Sequence, residues 1–362
     1  MKQKVRYSEV INYAGAFIAL LIGSGFATGQ ELLQFFSSYG KAGLIGVVVC
    51  FILLCFVGVE FVKYGNKHKL ENPNDIYKII CGKNLGTFYD YFSIFFIFLS
   101  FTVMVSGAQA TAVQHYNAPK YVGGLILGII AIITVVFGLE KIVQIIGKIG
   151  PVIVIMAIVV GLISISRNYS NFDSAISTID TLNKNGEITQ ASSFGFFMSS
   201  LSYVGFCMLW LAAFCASIGR DTENIEEAKQ GQIVGSLGFS LATFIMTLAI
   251  ILSIKEVYQS QIPSLILANQ INPILANIFS AFIILGIYTT SVPLLWTVIV
   301  RFYKEGAKEF KIATIVIGSI GMVIGLLLKF DVLVNYVYAI NGYLGILLII
   351  IMIYKAISKK NE

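Results

Sequence analysis

The sequence contains little charge for its length. Asp, Glu, Lys and Arg make up 12% of its 362 residues, where soluble proteins have about 25%. Hydrophobic residues reach 57%, and the mean hydropathy is +0.83. So little polar surface cannot cover a water-soluble globule, which excludes soluble, disordered and fibrous classes. Lipid is therefore the expected solvent for most of the chain.

Other absences narrow the function. Only two His occur, far apart at His68 and His115, so a histidine metal site is not expected. The five Cys include no CxxC pair, which favours packing roles. A GxxxxGK[ST] phosphate-binding loop is absent, which argues against ATP-driven pumping. We expect no enzyme, because nucleophile, His and carboxylate are not grouped, and no nucleic-acid partner, because no basic run alternates with aromatics.

The hydrophobic residues fall into ten runs of roughly 20 residues or more, the length that spans a bilayer. With the N-terminus inside, 19 of the 25 Lys and Arg lie at inner ends and 6 at outer ends. This bias predicts a multi-pass protein of the cell membrane with both termini cytoplasmic. The predicted helices are 8–38, 41–64, 87–116, 120–139, 141–166, 191–218, 229–254, 272–303, 309–328 and 331–357.

A polar segment at 167–190 divides these helices into five and five. Because five is odd, the second set would run with opposite topology to the first. We therefore predict an all-α, single membrane domain over 1–362. It would consist of two inverted repeats, 8–166 and 191–357, joined by an outer loop at 167–190.

The first predicted helix contains the run IGSGFATGQE at residues 22–31. Its glycines each weaken a helix by roughly 1 kcal/mol relative to Ala. Gln30 and Glu31 then place polar groups deep in the span, which is favourable only where the segment lines a cavity. Close helix packing through small residues is the alternative, and it explains the glycines but neither Gln30 nor Glu31.

The sixth predicted helix opens the second half and carries SSLSYVGF at residues 199–206. Interrupted helices at matching positions of two halves are typical of a transporter site. The N-terminus of a half-helix presents N–H groups that suit a carboxylate, and a C-terminus presents carbonyls that suit an ammonium or a metal cation. Breaks in the first and sixth helices would together complement an amino-acid zwitterion.

These features resemble a known group. Gly23-Ser24-Gly25, the five-plus-five division and the IPSLILANQINP run before the eighth helix look like the amino acid–polyamine–organocation superfamily, whose members have the leucine-transporter fold. The longer run GSGFATGQE is similar to YkvI-like bacterial membrane proteins. The resemblance implies that the substrate carboxylate is bound by Gly23, Ser24 and Gly25. It implies that the carbonyls of Tyr203, Val204 and Gly205 face the amine. It also implies that Phe206 covers the substrate side chain or gates the pocket.

Gln109 on the third helix is a further candidate for the wall of this site. Ordinary hydrogen bonding between helices is the alternative role for its amide.

Cation coupling is also implied by the resemblance. In sodium-coupled relatives an oxygen cage joins two hydroxyls of the eighth helix to carbonyls of the first. Here Thr290 and Ser291 would match, with the carbonyls of Ala19 and Ile22. The alternative is local, because Ser and Thr can bond the backbone freed ahead of Pro293.

Two residues are rival candidates for coupling. Lys148 resembles a lysine of the fifth helix whose ammonium takes the sodium position in proton-coupled or sodium-independent relatives, although it could instead extend to the inner interface. Glu31 is a further candidate proton carrier, because it is a carboxylate within a span.

The expected function is secondary active transport of a small amino-acid-like solute, in symport with sodium or protons, by alternating access. The alternative is a transporter-like receptor or sensor that binds a small ligand without turnover. The partners expected are a small-molecule substrate and the bilayer. No cofactor is expected, and sodium is the candidate ion.

Overall fold

The structure is a computed structural model that describes residues 4–138 and 143–358, with the side chains of 143–149 outside that description. It consists of helices and short connections. Their bounds are α1 Tyr7–Leu21, α2 Ser24–Thr28, α3 Gln30–Phe35, α4 Lys41–His68, α5 Ile76–Tyr116, α6 Val122–Phe137, α7 Val143–Asn168, α8 Phe172–Asn185, α9 Phe196–Asp221, α10 Ile225–Leu252, α11 Ile254–Val257, α12 Pro263–Ile271, α13 Pro273–Val300, α14 Lys308–Leu327, α15 Phe330–Leu333 and α16 Ala339–Ser358.

Hydropathy predicted the membrane character correctly. Among the described residues, eight helical segments are long and apolar enough to cross a membrane. Two further apolar helices, α1 and α6, have 15 and 16 residues. The all-α, polytopic architecture is therefore confirmed, while two of the ten predicted spans are shorter than a full crossing.

The outer face of α6 shows why lipid must be the solvent. Ile126, Ile129, Ile130 and Ile133 are all exposed in the isolated chain. They recur every three to four residues and so lie on one helix face. Such an apolar stripe is stable against hydrocarbon and not against water.

Two groups of packed helices surround the start of the chain. The helices α1, α4, α9 and α10 pack together, and so do α5, α6, α13 and α14. The short helix α2 contacts α5 and α13, whereas α3 contacts α9 and α10. The segment that follows α1 therefore lies between the two groups.

The predicted break in the sixth helix was wrong. The helix α9 runs without interruption through residues 202–206. Its small residues serve close packing instead, because a Cβ added to Gly205 would overlap the carbonyl oxygen of Gly342 in α16. The Ser202 hydroxyl donates to the Ala339 carbonyl, 3.0 Å away. Both residues thus allow two helix backbones to touch, as small residues do between membrane helices.

Candidate substrate site

The first helix is interrupted at the predicted place. After α1 ends, Ile22 and Gly23 are extended, with φ/ψ of −87°/97° and −105°/−172°. Helix resumes for five residues and stops again at Gly29, which has φ of +82°. A left-handed residue disfavours any side chain, so glycine fits this second stop. The chain therefore changes direction twice within residues 22–29.

The interruptions leave backbone carbonyls without partners in their own helix. Hydroxyl groups from the second half of the chain donate to these carbonyls. Thr290 of α13 donates to the Ile22 carbonyl at 3.3 Å, and it also donates to Gly286 at 2.9 Å. Ser264 of α12 donates to the Ala27 carbonyl at 2.7 Å. Such partners are required because an unpaired buried carbonyl is costly. The break is consequently a built feature rather than a frayed helix end.

Glu31 turns its carboxyl group back onto the break. The side chain is 1% exposed, and a Cβ on Gly25 would overlap the carboxyl group. One carboxyl oxygen, Oε2, accepts a hydrogen bond from the Tyr203 hydroxyl at 3.2 Å. The other, Oε1, is buried without a hydrogen-bond partner. Gly25 is therefore needed to leave room for a carboxyl group in the centre of the protein.

Aromatic rings form a wall beside this carboxyl group. Tyr203 and Phe206 have ring centroids 4.9 Å apart. Phe206 stacks on Tyr338 at 4.7 Å, and Trp210 packs edge-on to Tyr338 at 5.5 Å. Phe35, on α3, meets both Tyr203 and Phe206 edge-on. The wall joins α9 to the segment before α16 and closes on the interrupted helix.

Several buried polar atoms in this region have no partner. They include the Ser24 hydroxyl, the Gln30 amide oxygen, the Tyr338 hydroxyl and Oε1 of Glu31. Buried polar atoms are nearly always hydrogen-bonded in folded proteins. Their concentration around one helix break indicates a place where a bound molecule would supply the missing partners.

The structure brings together only part of the predicted substrate set. Gly23, Ser24 and Gly25 lie at the break, and Tyr203 and Phe206 face it. The carbonyls of Val204 and Gly205 belong to a continuous helix, so the prediction that these and the Tyr203 carbonyl face an amine was wrong. These carbonyls accept the ordinary bonds of α9 and have no helix end to expose them.

Gln109 lies away from the break. Its amide donates to the Leu326 carbonyl at 3.3 Å and lines a cavity of about 200 Å³, together with Gln114, Gln261 and Lys329. This contact is a hydrogen bond between helices, which is the alternative role given above for Gln109.

The candidate cation residues are divided. Thr290 meets the Ile22 carbonyl, whereas the Ser291 hydroxyl donates within its own helix to Tyr288 at 2.9 Å. Ala19 lies against Gly150 of α7, whose Cβ position is 3.1 Å from Ala19. The side chain of Lys148 lies outside the described residues. Among the described residues, no group of three or more His, Cys, Asp or Glu could hold a metal ion.

The centre is closed in this structure. Every residue from Leu21 to Ser38 is buried. The described cavity of about 540 Å³ lies between Glu60, Lys63 and Lys67 of α4 and the end of α16, and the one of about 200 Å³ lies near Gln109. Neither of these two cavities is lined by residues of the break, and the buried residues 21–38 leave the break closed to solvent.

An ion pair joins the start of the chain to the connection between α9 and α10. The backbone N–H of Arg6 and its guanidinium donate to the Glu227 carboxylate at 2.8–3.0 Å. This contact raises the pKa of Arg6 above its ordinary value, because the carboxylate stabilises the charged form. Tyr13 of α1 adds a bond to Thr222 at 3.2 Å. The start of α1 is thus fastened to the α9–α10 connection.

Sequence reasoning missed two residues of the centre, Ser264 and Tyr338. Ser264 follows Ile262-Pro263 in the run before the eighth predicted helix, which was not assigned to the site. Tyr338 lies in a run of apolar and aromatic residues, where a single hydroxyl group does not indicate a binding site. Each reaches the break from more than 200 residues away in the sequence, so only the fold reveals it.

Comparisons with known proteins agree with this architecture. No family model matches the chain. The uncharacterized protein YyaD of Bacillus subtilis (strain 168) is 24% identical over 342 residues, which are 94% of this chain and 95% of YyaD. The uncharacterized membrane protein YkvI of the same organism is 24% identical over 129 residues, 36% of this chain and 37% of YkvI.

Solved structures share the fold. MhsT in complex with L-phenylalanine has a TM-score of 0.64 at 15% identity, covering 96% of this chain and 89% of that chain. Mhp1 in an inward-facing conformation has a TM-score of 0.54 at 16% identity, covering 97% and 78%. The predicted resemblance to YkvI-like proteins and to the leucine-transporter fold is confirmed. Mhp1 in a closed conformation, with a TM-score of 0.51 at 15% identity and covering 92% and 76%, is named as a nucleobase–cation-symport-1 family transporter.

Proposed function

We propose that the protein is a secondary active transporter of a small amino-acid-like solute, coupled to sodium or protons. It would work in the cell membrane with both termini cytoplasmic and alternate access around the interrupted first helix. The observation that carries the proposal is the break at Ile22–Gly23, with buried polar atoms left unpaired beside it. A continuous helix would pair all of its backbone groups, and hydrocarbon would favour it.

The neighbours support transport as the use of this fold. MhsT is named with bound L-phenylalanine, and Mhp1 is named as a nucleobase–cation symporter. Both names describe small solutes, and the second describes cation coupling. The occluded centre fits one stage of alternating access, in which neither side reaches the site.

In this proposal sodium binds beside Ile22 and Thr290. The carbonyl of Ile22, in the break, and the hydroxyl of Thr290, in α13, are hard oxygen ligands 3.3 Å apart. Ser291 would complete the cage after rotating its hydroxyl away from the Tyr288 carbonyl, and Ala19 would add a carbonyl. An ion at this position would tie α1 to α13 and so couple the two groups of helices.

The transport test uses purified protein in liposomes loaded with unlabelled L-phenylalanine or L-alanine. We expect counterflow of the labelled amino acid, and uptake that responds to an imposed sodium or proton gradient. Lys148→Ala should abolish uptake driven by protons and spare uptake driven by sodium. Binding of the amino acid without counterflow would support the receptor alternative and contradict transport.

The ion test needs no substrate. Sodium at about ten times its Kd should stabilise the folded protein by about 1.4 kcal/mol over choline. Thr290→Val should remove that stabilisation, whereas Thr290→Ser should keep it. The matched control is Thr289→Val, because Thr289 bonds only to Gly286 of its own helix. Equal sodium effects in the Thr290→Val and Thr289→Val variants would exclude this ion position.

A further inference from the structure

Three acidic side chains are nearly fully buried in the described part of the chain: Glu31, Asp90 and Glu227. Two of them are neutralised by arginines. Asp90 accepts from Arg301 at 2.7 Å, and Glu227 pairs with Arg6 at 3.0 Å. Glu31 has no ion pair within that part; its carboxyl group accepts from the Tyr203 hydroxyl and lies beside the backbone of Phe26.

An uncompensated buried carboxylate is expensive, and proteins retain one mainly for function. The cost here is increased because Oε1 accepts no hydrogen bond. The side chain also requires glycine at position 25, which weakens the helix. The fold thus gives up stability twice to hold a carboxyl group beside the break.

The continuous α9 makes this carboxyl group the main acceptor for a cation in the centre. An ammonium needs acceptors, and the carbonyls of residues 202–206 are used within the helix. The neighbouring groups also suit a positive charge. The Ser24 and Tyr338 hydroxyls lie beside each other without a well-formed hydrogen bond, and the faces of Tyr203 and Phe206 are electron-rich.

We propose that Glu31 binds the positively charged nitrogen of the solute, so that the substrates are primary amines and amino acids, and not carboxylates that lack an amine. This inference rests on the proposed transport function, since it concerns the same centre. The solute's nitrogen takes the place of the missing arginine and bonds Oε1. A free anion is disfavoured there by repulsion from Glu31.

The test measures binding to the purified full-length protein with two sets of matched probes. The first set is L-phenylalanine, 2-phenylethylamine and 3-phenylpropanoate, and the second is L-alanine, ethylamine and propanoate. Within a set the carbon skeleton is shared and only the charged groups differ. We expect the amino acid or the amine to bind in at least one set, and the acid in neither.

The Glu31→Gln variant keeps the shape and the bond to Tyr203 but removes the charge. We expect amine binding to weaken about 10- to 100-fold, the usual loss for a hydrogen bond to a charged group. The ligand-free protein should melt at the same temperature or higher, because glutamine replaces a buried carboxyl group that has no ion pair. A folding defect would lower both the affinity for the amine and the melting temperature. Glu31→Asp should retain part of the binding, and the matched control is Glu305→Gln on an exposed inner loop.

Three results would overturn the proposal: acids that bind as well as amines, an unchanged amine Kd in Glu31→Gln, or no amine binding to the wild-type protein. Unchanged binding in Glu31→Gln together with loss of proton-driven uptake would make Glu31 a proton carrier and leave transport standing. Amine binding that depends on Glu31 but shows no counterflow would support this inference and remove transport.

Discussion

The contact between Gly25 and Glu31 predicts that one added methyl group, in Gly25→Ala, lowers the stability of the protein considerably. In Gly25→Ala the new Cβ would occupy the position of the Glu31 carboxyl group, which must then move. Moving it breaks the 3.2 Å bond from Tyr203 and leaves two buried polar groups unpaired. A hydrogen bond to a charged group contributes about 1.5–3 kcal/mol, and an unpaired buried group costs about 1–3 kcal/mol.

We expect Gly25→Ala to lower stability by about 2–4 kcal/mol after the small gain in helix propensity. At roughly 2 °C per kcal/mol, Tm in detergent should fall by about 4–8 °C. Gly15→Ala is the matched control, because Gly15 lies in α1 with nothing within 4 Å of its Cβ position. That variant should gain roughly 0.5–1 kcal/mol.

A double-mutant cycle isolates the contact. With Glu31→Ala the carboxyl group is absent, so Gly25→Ala should cost less than about 1 kcal/mol in that background. The coupling free energy between the two positions should therefore exceed about 1 kcal/mol. Additive effects, or a Tm for Gly25→Ala equal to that of wild type, would show that the carboxyl group does not lie on Gly25.

Two further comparisons of variants test the surroundings of the centre by Tm. Gly29→Ala and Gly186→Ala both place alanine at positive φ, which costs roughly 1–2 kcal/mol. Only Gly29→Ala also crowds a neighbour, the amide nitrogen of Ser264 at 3.1 Å, so its loss of stability should be larger. Equal losses in the two variants would contradict the contact with α12. Asp90→Ala should lower stability by about 2–3 kcal/mol, somewhat less than for a fully buried pair, because the Arg301 side chain is 27% exposed. The double variant Asp90→Leu with Arg301→Met should recover most of this stability. No recovery would assign the loss to packing alone.

Much of the fold was predictable because lipid imposes strict rules. Every span must satisfy its own backbone, so long apolar runs identify helices. The break in the first helix was predictable for the same reason. Polar residues such as Gln30 and Glu31 next to glycines contradict a plain span, and the contradiction is local in the sequence.

The site was less predictable because its contacts join distant residues. Glu31 was recognised as polar at depth, yet its partners Gly25 and Tyr203 could not be read from spacing. Gly205 gave a signal similar to that of Gly23 and has the opposite role. What separates the two is a neighbour: Gly205 meets Gly342 of α16, whereas the Cβ position of Gly23 meets only the end of the Met104 side chain at 3.0 Å.

That difference predicts how each helix tolerates substitution. A Cβ at Gly205 would overlap the backbone carbonyl of Gly342, and backbone atoms cannot turn aside as a side chain can. Gly205→Ala must therefore push α16 away from α9, and Gly345 on the same contact faces the carbonyl of Gly205 in return. We expect a loss of about 3 kcal/mol, seen as a lower Tm and less folded protein in the membrane.

Gly23→Ala gives the comparison, because the Met104 side chain can yield and the extended φ of −105° at Gly23 is open to alanine. We expect its Tm to stay within about 2 °C of wild type, with any loss appearing in solute binding. If α9 were instead unwound at this depth in the working protein, Gly205 would face a solute and not a helix. Gly205→Ala would then keep its Tm and lose binding, which would restore the sixth helix to the substrate site and remove the reason for Glu31 to act as the acceptor for the amine.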